Sequence, residues 1–241
     1  MIYIKILVVR DEYLFVGSRM NMRSIVVFGI GPISKTIFYA SKKSGKYSIA
    51  GFTADKQFIK SDVLCGLPVM AFEEIETRFE PADFDMLVVN VGVAAGTASR
   101  KEMFLRAKSK GYNLINYIDD KADTFEDLVL GENNIIMANT HIGPAGSMGD
   151  NNFIRENIYL GHDCCIGSHN VLGPGCNVGG SCKIGDLNFV GLGSTIINDI
   201  EIRDANLVGA GSLVVKNIQS NGKYMGHPAK KIADMPGRAE A

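Results

Sequence analysis

Two different periods run along the chain. Between residues 24 and 118, short apolar runs alternate with helix-like stretches. Ser24–Phe28 (SIVVF) is apolar after its first residue, as a parallel strand buried on both faces should be. It ends in Gly29-Ile30-Gly31, and a helical pattern follows through Ser41. Further strands are predicted over 47–53, 86–91 and 114–118. A short helix is predicted over 72–79, and a longer one over 95–110 that stops at Gly111. This alternation with short connections predicts a parallel α/β sheet. From Leu130 the period becomes six. Fifteen positions spaced by six, from Leu130 through Ile136 and Ile142 to Val214, are all aliphatic or Met, with no break in register. The next residue is Gly at ten of the fifteen, and the residue four places on is usually small, as at Thr140, Cys164, Cys176, Cys182 and Ser194. A fixed short period marks a solenoid, whose units bury their apolar side only by stacking.

The hexapeptide pattern resembles that of left-handed parallel β-helices. The resemblance implies three hexapeptides per triangular coil, so residues 18 apart stack and Leu130 to Ile218 gives about five coils. Stacked strands would lie about 4.8 Å apart. The aliphatic position fills the prism, and Gly relieves crowding at the corners. In this register Cys164, Cys176 and Cys182 point inward as small hydrophobes, with Cys164 and Cys182 one coil apart, whereas Cys165 points outward.

Composition narrows the function classes. The 241 residues allow one large domain or two ordinary ones, and 46% of them are hydrophobic, enough for a core. With 21% charged residues and a net charge of −1, bulk charge does not hold nucleic acid or an anionic membrane. No apolar run reaches the roughly 18 residues of a membrane span. The five cysteines are odd in number and form no CxxC pair, and no secretory signal is recognisable, so a reduced cytoplasmic setting is expected. The apolar run from Ile2 to Val9 lacks a cleavage site. With Met20 and Met22 just before the first strong strand, residues 1–22 read as an N-terminal extension, or else as an added edge strand.

Chemistry on a solenoid must come from outward residues that break the pattern. His162, in Gly161-His162-Asp163, lies outward near a corner, and Gly180 stacks one coil above it. A residue without a side chain leaves a slot beside the imidazole and brings a backbone N–H within about one strand spacing. That suits a base beside a thioester whose developing oxyanion needs a donor. Asp163 is placed to orient the ring. His141, His169 and His227 are the other histidines. The spacing of the three on the solenoid does not fit the zinc site of gamma-class carbonic anhydrases, so no metal is expected. In the first half, Gly29-Ile30-Gly31 follows a strand and opens a helix, a turn suited to a phosphate. The full G-x-G-x-x-G fingerprint fails at Ser34, so NAD is not predicted. Asp55, at the end of the second strand, is a candidate for a ribose or sugar hydroxyl.

The tail Gly226-His227-Pro228-Ala229-Lys230 resembles the G-x-P-A-K closing segment of hexapeptide acyltransferases. With a Rossmann-like first half (23–120), a β-helix (121–241) and the Gly-His-Asp motif, the chain resembles the PglD/NeuD-like sugar acetyltransferases over roughly residues 23–233. That resemblance implies an acetyl-CoA-dependent N-acetyltransferase for a nucleotide-linked amino sugar in surface-glycan synthesis, assembled as a cytoplasmic homotrimer. It makes His162 the general base, Asp163 its partner and Gly180 the N–H donor. Leu192, Ala210 and Lys230 fall to acetyl-CoA, and Gly29, Gly31, Asp55 and Gly92 to the nucleotide sugar. The chain departs from many relatives in carrying Pro32-Ile33-Ser34 where they have a His. Two other readings follow from the same residues: O-acetylation of a sugar or sialic acid, and a non-catalytic β-helix serving as an assembly or binding module.

Overall fold

Why the first half forms a parallel sheet is visible in its two apolar faces. Strand Ser24–Phe28 pairs in parallel with Ile49–Ala54 on one side and Phe84–Val88 on the other. Leu67–Ala71 adds beyond Ile49–Ala54, and Val63–Leu64 closes that edge as an antiparallel hairpin. This hairpin was not visible in the sequence pattern, because Gly66 interrupts a run too short to show a period. The computed structural model describes residues 4–9, 12–17, 23–89, 96–219 and 221–235. Within the first segments, Ile4–Val9 and Glu12–Gly17 pair only with each other among the described residues, in a two-stranded sheet separate from the five-stranded one. Met20 and Met22 lie outside the described residues.

Helix α1 (Pro32–Ser44) starts with Pro at its first turn and stops at Gly45, which takes a left-handed φ of 69°. Helix α2 (Gly96–Ser109) agrees with the predicted 95–110. The predicted 72–79 helix is a 3-10 segment, Phe72–Thr77. Val26 and Phe28 face Phe72 and Phe104 of α2. Ile25 and Val27 face the other way, into a cluster with Ile37 of α1 and with the solenoid residues Tyr117, Ile135, Phe153 and Val171. The two halves therefore share one core, since the outward positions of one prism face are apolar and the sheet covers them.

The predicted strand 114–118 divides. Leu114 makes one bridge to Met86 of the first sheet, whereas Tyr117–Ile118 already belongs to the solenoid and pairs with Ile135–Ile136. The six-residue register thus extends two units upstream of Leu130, through Ile118 and Thr124. Thr124 hides it, being neither aliphatic nor Met. The first face runs from Tyr117–Ile118 to Leu207–Val208, the second from Asp123–Thr124 to Leu213–Val214, and the third from Val129–Leu130 to Glu201–Ile202. From Tyr117–Ile118 to Leu213–Val214 every strand pair of the solenoid is parallel and 18 residues apart, as for Tyr159 with Asn177, whereas the final bridge of Ile202 with Ile218 closes a shorter coil.

The corners explain the glycine code. A Cβ at Gly161 would lie 2.5 Å from Gly180 N, and one at Gly173 would lie 2.5 Å from Leu192 N. Gly is needed there by the approach of the next coil. Left-handed backbone falls two residues later, at Asn133, Asn151, Asp163 and Ser181 among others, mostly residue types that tolerate it.

The inward cysteines sit where the register places them. Cys164, Cys176 and Cys182 are buried, and Cys165 is exposed. Each buried thiol donates to the carbonyl 15 residues ahead: Cys164 to Gly179 at 3.2 Å, Cys176 to Gly191 at 3.1 Å and Cys182 to Ile197 at 3.1 Å. Thr140 and Ser194 do the same with their hydroxyls. Burial pushes the Cys176 thiol up to about 11, so it stays protonated and inert. Replacing Cys182 by Ala removes a weak donor and little volume, so stability should fall by about 1 kcal/mol or less and turnover should persist. Denaturant unfolding and an activity assay check this, and an inactive but folded Cys182→Ala protein would contradict it.

Candidate functional site

Each prism edge carries different chemistry. On the edge between the second and third faces, the chain leaves strand Tyr159–Leu160 through Gly161 and turns at Asp163, whose φ is 57°. Asp163 N–H donates to Pro144 O at 2.9 Å and holds the turn. This left-handed turn lets adjacent side chains meet: His162 Nδ1 lies 2.7 Å from Asp163 Oδ2. The opposite nitrogen faces Gly180, where a Cβ would fall 2.6 Å from His162 Nε2. Both side chains are solvent-accessible. The Gly180 N–H has no partner among the described residues, while its carbonyl accepts from Asp199 N–H at 3.0 Å. His162, Asp163 and Gly180 thus form one cluster. It consists of a carboxylate-held imidazole with a free Nε2, beside a bare backbone.

Leu192 and Ala210 occupy the edge between the first and second faces, where a Cβ at Gly191 would fall 2.5 Å from Ala210 N. The tail joins them as a hairpin. Gly222–Gly226 runs parallel to Leu207–Val208 and pairs antiparallel with Ala229–Asp234. In that hairpin Met225 opposes Lys230, and a Cβ at Gly209 would fall 2.7 Å from Met225 Cγ. Lys230 is exposed. The donor-site candidates therefore form two groups on different edges of one chain, separated by the whole second face.

The remaining solenoid histidines lie elsewhere. His141 is on the second face, with Nδ1 2.6 Å from Asp123 Oδ2 and its ring stacked on Tyr159 at 5.3 Å. His169 is buried on the third edge, against Phe104 of α2, with Nδ1 2.9 Å from the Asn151 amide nitrogen. Since that amide can only donate, Nδ1 accepts and His169 is neutral. Burial first, and then the Lys101 charge, pushes its pKa down to about 4. The same edge locks the two halves together. Asn133 pairs with the Val88 backbone through both amide atoms, at 2.8 and 3.1 Å. The buried Arg100 donates to Asn151 O at 2.9 Å and Val88 O at 3.2 Å, and burial lowers its pKa to about 9. An unfolded His169 binds its proton near pH 6.5, whereas the folded one resists until about pH 4. Stability should therefore be complete above pH 6.5 and fall by up to about 3 kcal/mol as the pH drops towards 4. Urea unfolding at pH 7 and pH 4.5 checks this, with His169→Gln expected to flatten the change.

The first half holds a cleft of about 480 Å³ at the carboxyl ends of its strands. It opens where the strand order reverses, beside Ser24–Phe28, the position at which open α/β sheets bind ligands. Gly29, Gly31 and Asp55 line it, together with Ser99, Glu102 and Arg106 of α2. Gly29 has a φ of 145° and faces Ser34 Oγ, whereas a Cβ at Gly31 would meet nothing within 4 Å. Gly31 caps α1 without a side-chain hydrogen bond. The Asp55 carboxylate is not solitary. Arg106 holds both of its oxygens, with Nη2 to Oδ1 at 2.5 Å and Nη1 to Oδ2 at 3.1 Å, and the pairing raises the Arg106 pKa. No sequence signal marked Arg106, because nothing in its helix pattern points to a strand end 51 residues away. Gly92 lies outside the described residues. Among the described residues, no helix is long and apolar enough to cross a membrane.

No family model and no curated protein matches the sequence. Solved structures do match its fold. The acetyltransferase domain of PglB from Neisseria gonorrhoeae is 21% identical, with a TM-score of 0.78 over 88% of this chain and all of that one (100%). PerB from Caulobacter crescentus, in complex with CoA and GDP-perosamine, is 23% identical, with a TM-score of 0.77 over 87% of this chain and 97% of that one. WeeI from Acinetobacter baumannii is 20% identical, with a TM-score of 0.71 over 88% and 100%. The chain has the fold of these proteins, an α/β domain joined to a hexapeptide-repeat β-helix.

Proposed function

We propose that the chain is an acetyl-CoA-dependent N-acetyltransferase that acts on a nucleotide-linked amino sugar in surface-glycan synthesis. The observation that carries this reading is the His162 imidazole, held by Asp163 at 2.7 Å and lying over the bare Gly180 backbone. Asp163 keeps the proton on Nδ1, so Nε2 offers a lone pair as a general base. His162 takes a proton from the amine as its nitrogen attacks the thioester carbonyl. The Gly180 N–H meets the oxyanion. As the C–S bond breaks, the same proton passes to the departing CoA sulfur, and an amide is left on the sugar. The nucleotide part falls to the cleft of the first half, with the Gly29–Gly31 turn and the open end of α1 for its phosphates. PerB, in its complex with CoA and GDP-perosamine, offers the same fold as a precedent.

The two separated groups of donor-site candidates favour a homotrimer. The His162 edge of one chain would face the Leu192, Ala210 and Lys230 edge of the next, which closes the second face. Exposed Leu192, Ile197, Tyr159 and Met225 line that face and its edges, as an interface requires. Light scattering at micromolar concentration should give the mass of three chains, and a fully active monomer would refute the arrangement. The activity itself is tested with purified protein, acetyl-CoA and a panel of nucleotide-linked amino sugars and their hydroxyl analogues. Acetylation of an amine and not of its hydroxyl counterpart is expected. Transfer to the hydroxyl alone would make it an O-acetyltransferase, and no transfer to any acceptor would leave a binding module.

A further inference from the structure

The Asp55–Arg106 pair is built more rigidly than a surface ion pair. The Arg106 guanidinium lies over the Phe72 ring at 4.9 Å and near Phe28 at 5.8 Å, so its plane is fixed while its fork holds Asp55. Both side chains are partly exposed, and they face the cleft. Arg106 has five N–H donors and uses two on Asp55; the other three have no partner among the described residues. Each Asp55 oxygen keeps a further lone pair. The paired fork itself carries no net charge and sets donors and acceptors side by side, with the Glu102 carboxylate lining the same cleft as a further acceptor. A lone carboxylate at this place would repel phosphate and attract a cation. A neutralised fork is matched instead by groups that donate and accept at once, which are hydroxyls.

Its place in the fold selects which hydroxyls. Asp55 follows strand Ile49–Ala54, the neighbour of the strand whose Gly29–Gly31 turn opens α1. In this topology a ligand with its phosphates at the glycine turn lays its ribose at the end of the second strand. We infer that Arg106 and Asp55 act together as a clamp for the vicinal ribose hydroxyls, so that the cleft discriminates ribonucleotide from 2′-deoxyribonucleotide sugars. Arg106 is the specificity-determining member. It fixes the carboxylate and donates to the hydroxyl oxygens that the carboxylate cannot serve. This inference rests on the nucleotide-sugar reading above.

Calorimetric titration of the full chain with UDP, 2′-deoxy-UDP, GDP and 2′-deoxy-GDP tests it. For whichever base binds, loss of the 2′-hydroxyl should weaken affinity about 10- to 100-fold, the effect of losing a hydrogen bond to a charged group. In Arg106→Lys the ribo-to-deoxy ratio should approach one, with acetyl-CoA affinity and a cooperative melting transition retained. Equal affinity for ribo and deoxy forms in the unaltered protein would overturn the clamp. So would full discrimination in a folded Arg106→Lys protein. The ribo-to-deoxy comparison needs no variant, so it decides the matter even if Arg106→Lys fails to fold. Binding of none of the four nucleotides, with acetyl-CoA still bound, would remove the nucleotide-sugar reading and the clamp together.

Discussion

His162→Ala should lower turnover about 10²- to 10⁴-fold, the usual contribution of a positioned general base. The side chain points out from a corner and fills no core space, so thermal unfolding of the variant should match that of the parent. Acetyl-CoA binding should survive, because backbone, solenoid edge and tail are proposed to hold the donor. Asp163→Asn should cost less, since Asp163 only orients and charges the ring. A companion variant separates position from identity. In Gly180→Ala the new methyl would fall 2.6 Å from His162 Nε2 and displace the imidazole without removing it. A displacement of about 1 Å can cost about 10²-fold. The double variant should be little worse than His162→Ala alone, because both act through one ring. Stopped assays of CoA release measure all four proteins. Near-native turnover in a folded His162→Ala protein would remove His162 from the mechanism.

The second large effect concerns stability. Asn116, Asn134, Asn152, Asn170, Asn188 and Asn206 stand 18 residues apart and form a ladder on the third edge of the prism. The backbone N–H of each from Asn134 onward donates to the side-chain oxygen one coil below, at 2.7 to 3.0 Å, and Gly222 ends the series on Asn206. Asn152 is fully buried and central. Its amide donates to Gly167 O at 2.8 Å and to Asn134 Oδ1 at 2.9 Å, while its oxygen accepts twice from Asn170. Asn152→Leu keeps roughly the volume and strands the Asn170 N–H and the Gly167 carbonyl without water. Each stranded group costs about 1–3 kcal/mol, so the variant should lose about 3–4 kcal/mol in urea unfolding. An unchanged midpoint would show that the ladder is dispensable. Any folded fraction should keep its turnover, because His162 lies on a different edge.

The six-residue register, its inward cysteines and the adjacency of His162 to Gly180 were legible in the sequence, for one physical reason. In a solenoid, spatial neighbours sit at a constant sequence distance, so counting 18 residues substitutes for folding. The asparagine ladder obeys the same rule, but its positions are polar and so leave no mark on the hydrophobic period. The prism also begins two strands earlier than the aliphatic count suggested, at Tyr117, because Thr124 fills an inward place without being aliphatic. What the sequence could not show were contacts at irregular separations. Arg106 reaches Asp55 across 51 residues, Asn133 pairs with Val88 across 45, and His169 is buried by Phe104 of another element. These depend on how the sheet of the first half seats on one apolar prism face, and no local period encodes a docking angle. The same holds for the tail: Met225 meets Gly209, with Lys230 opposite it, only because the chain folds back as a hairpin outside the six-residue register.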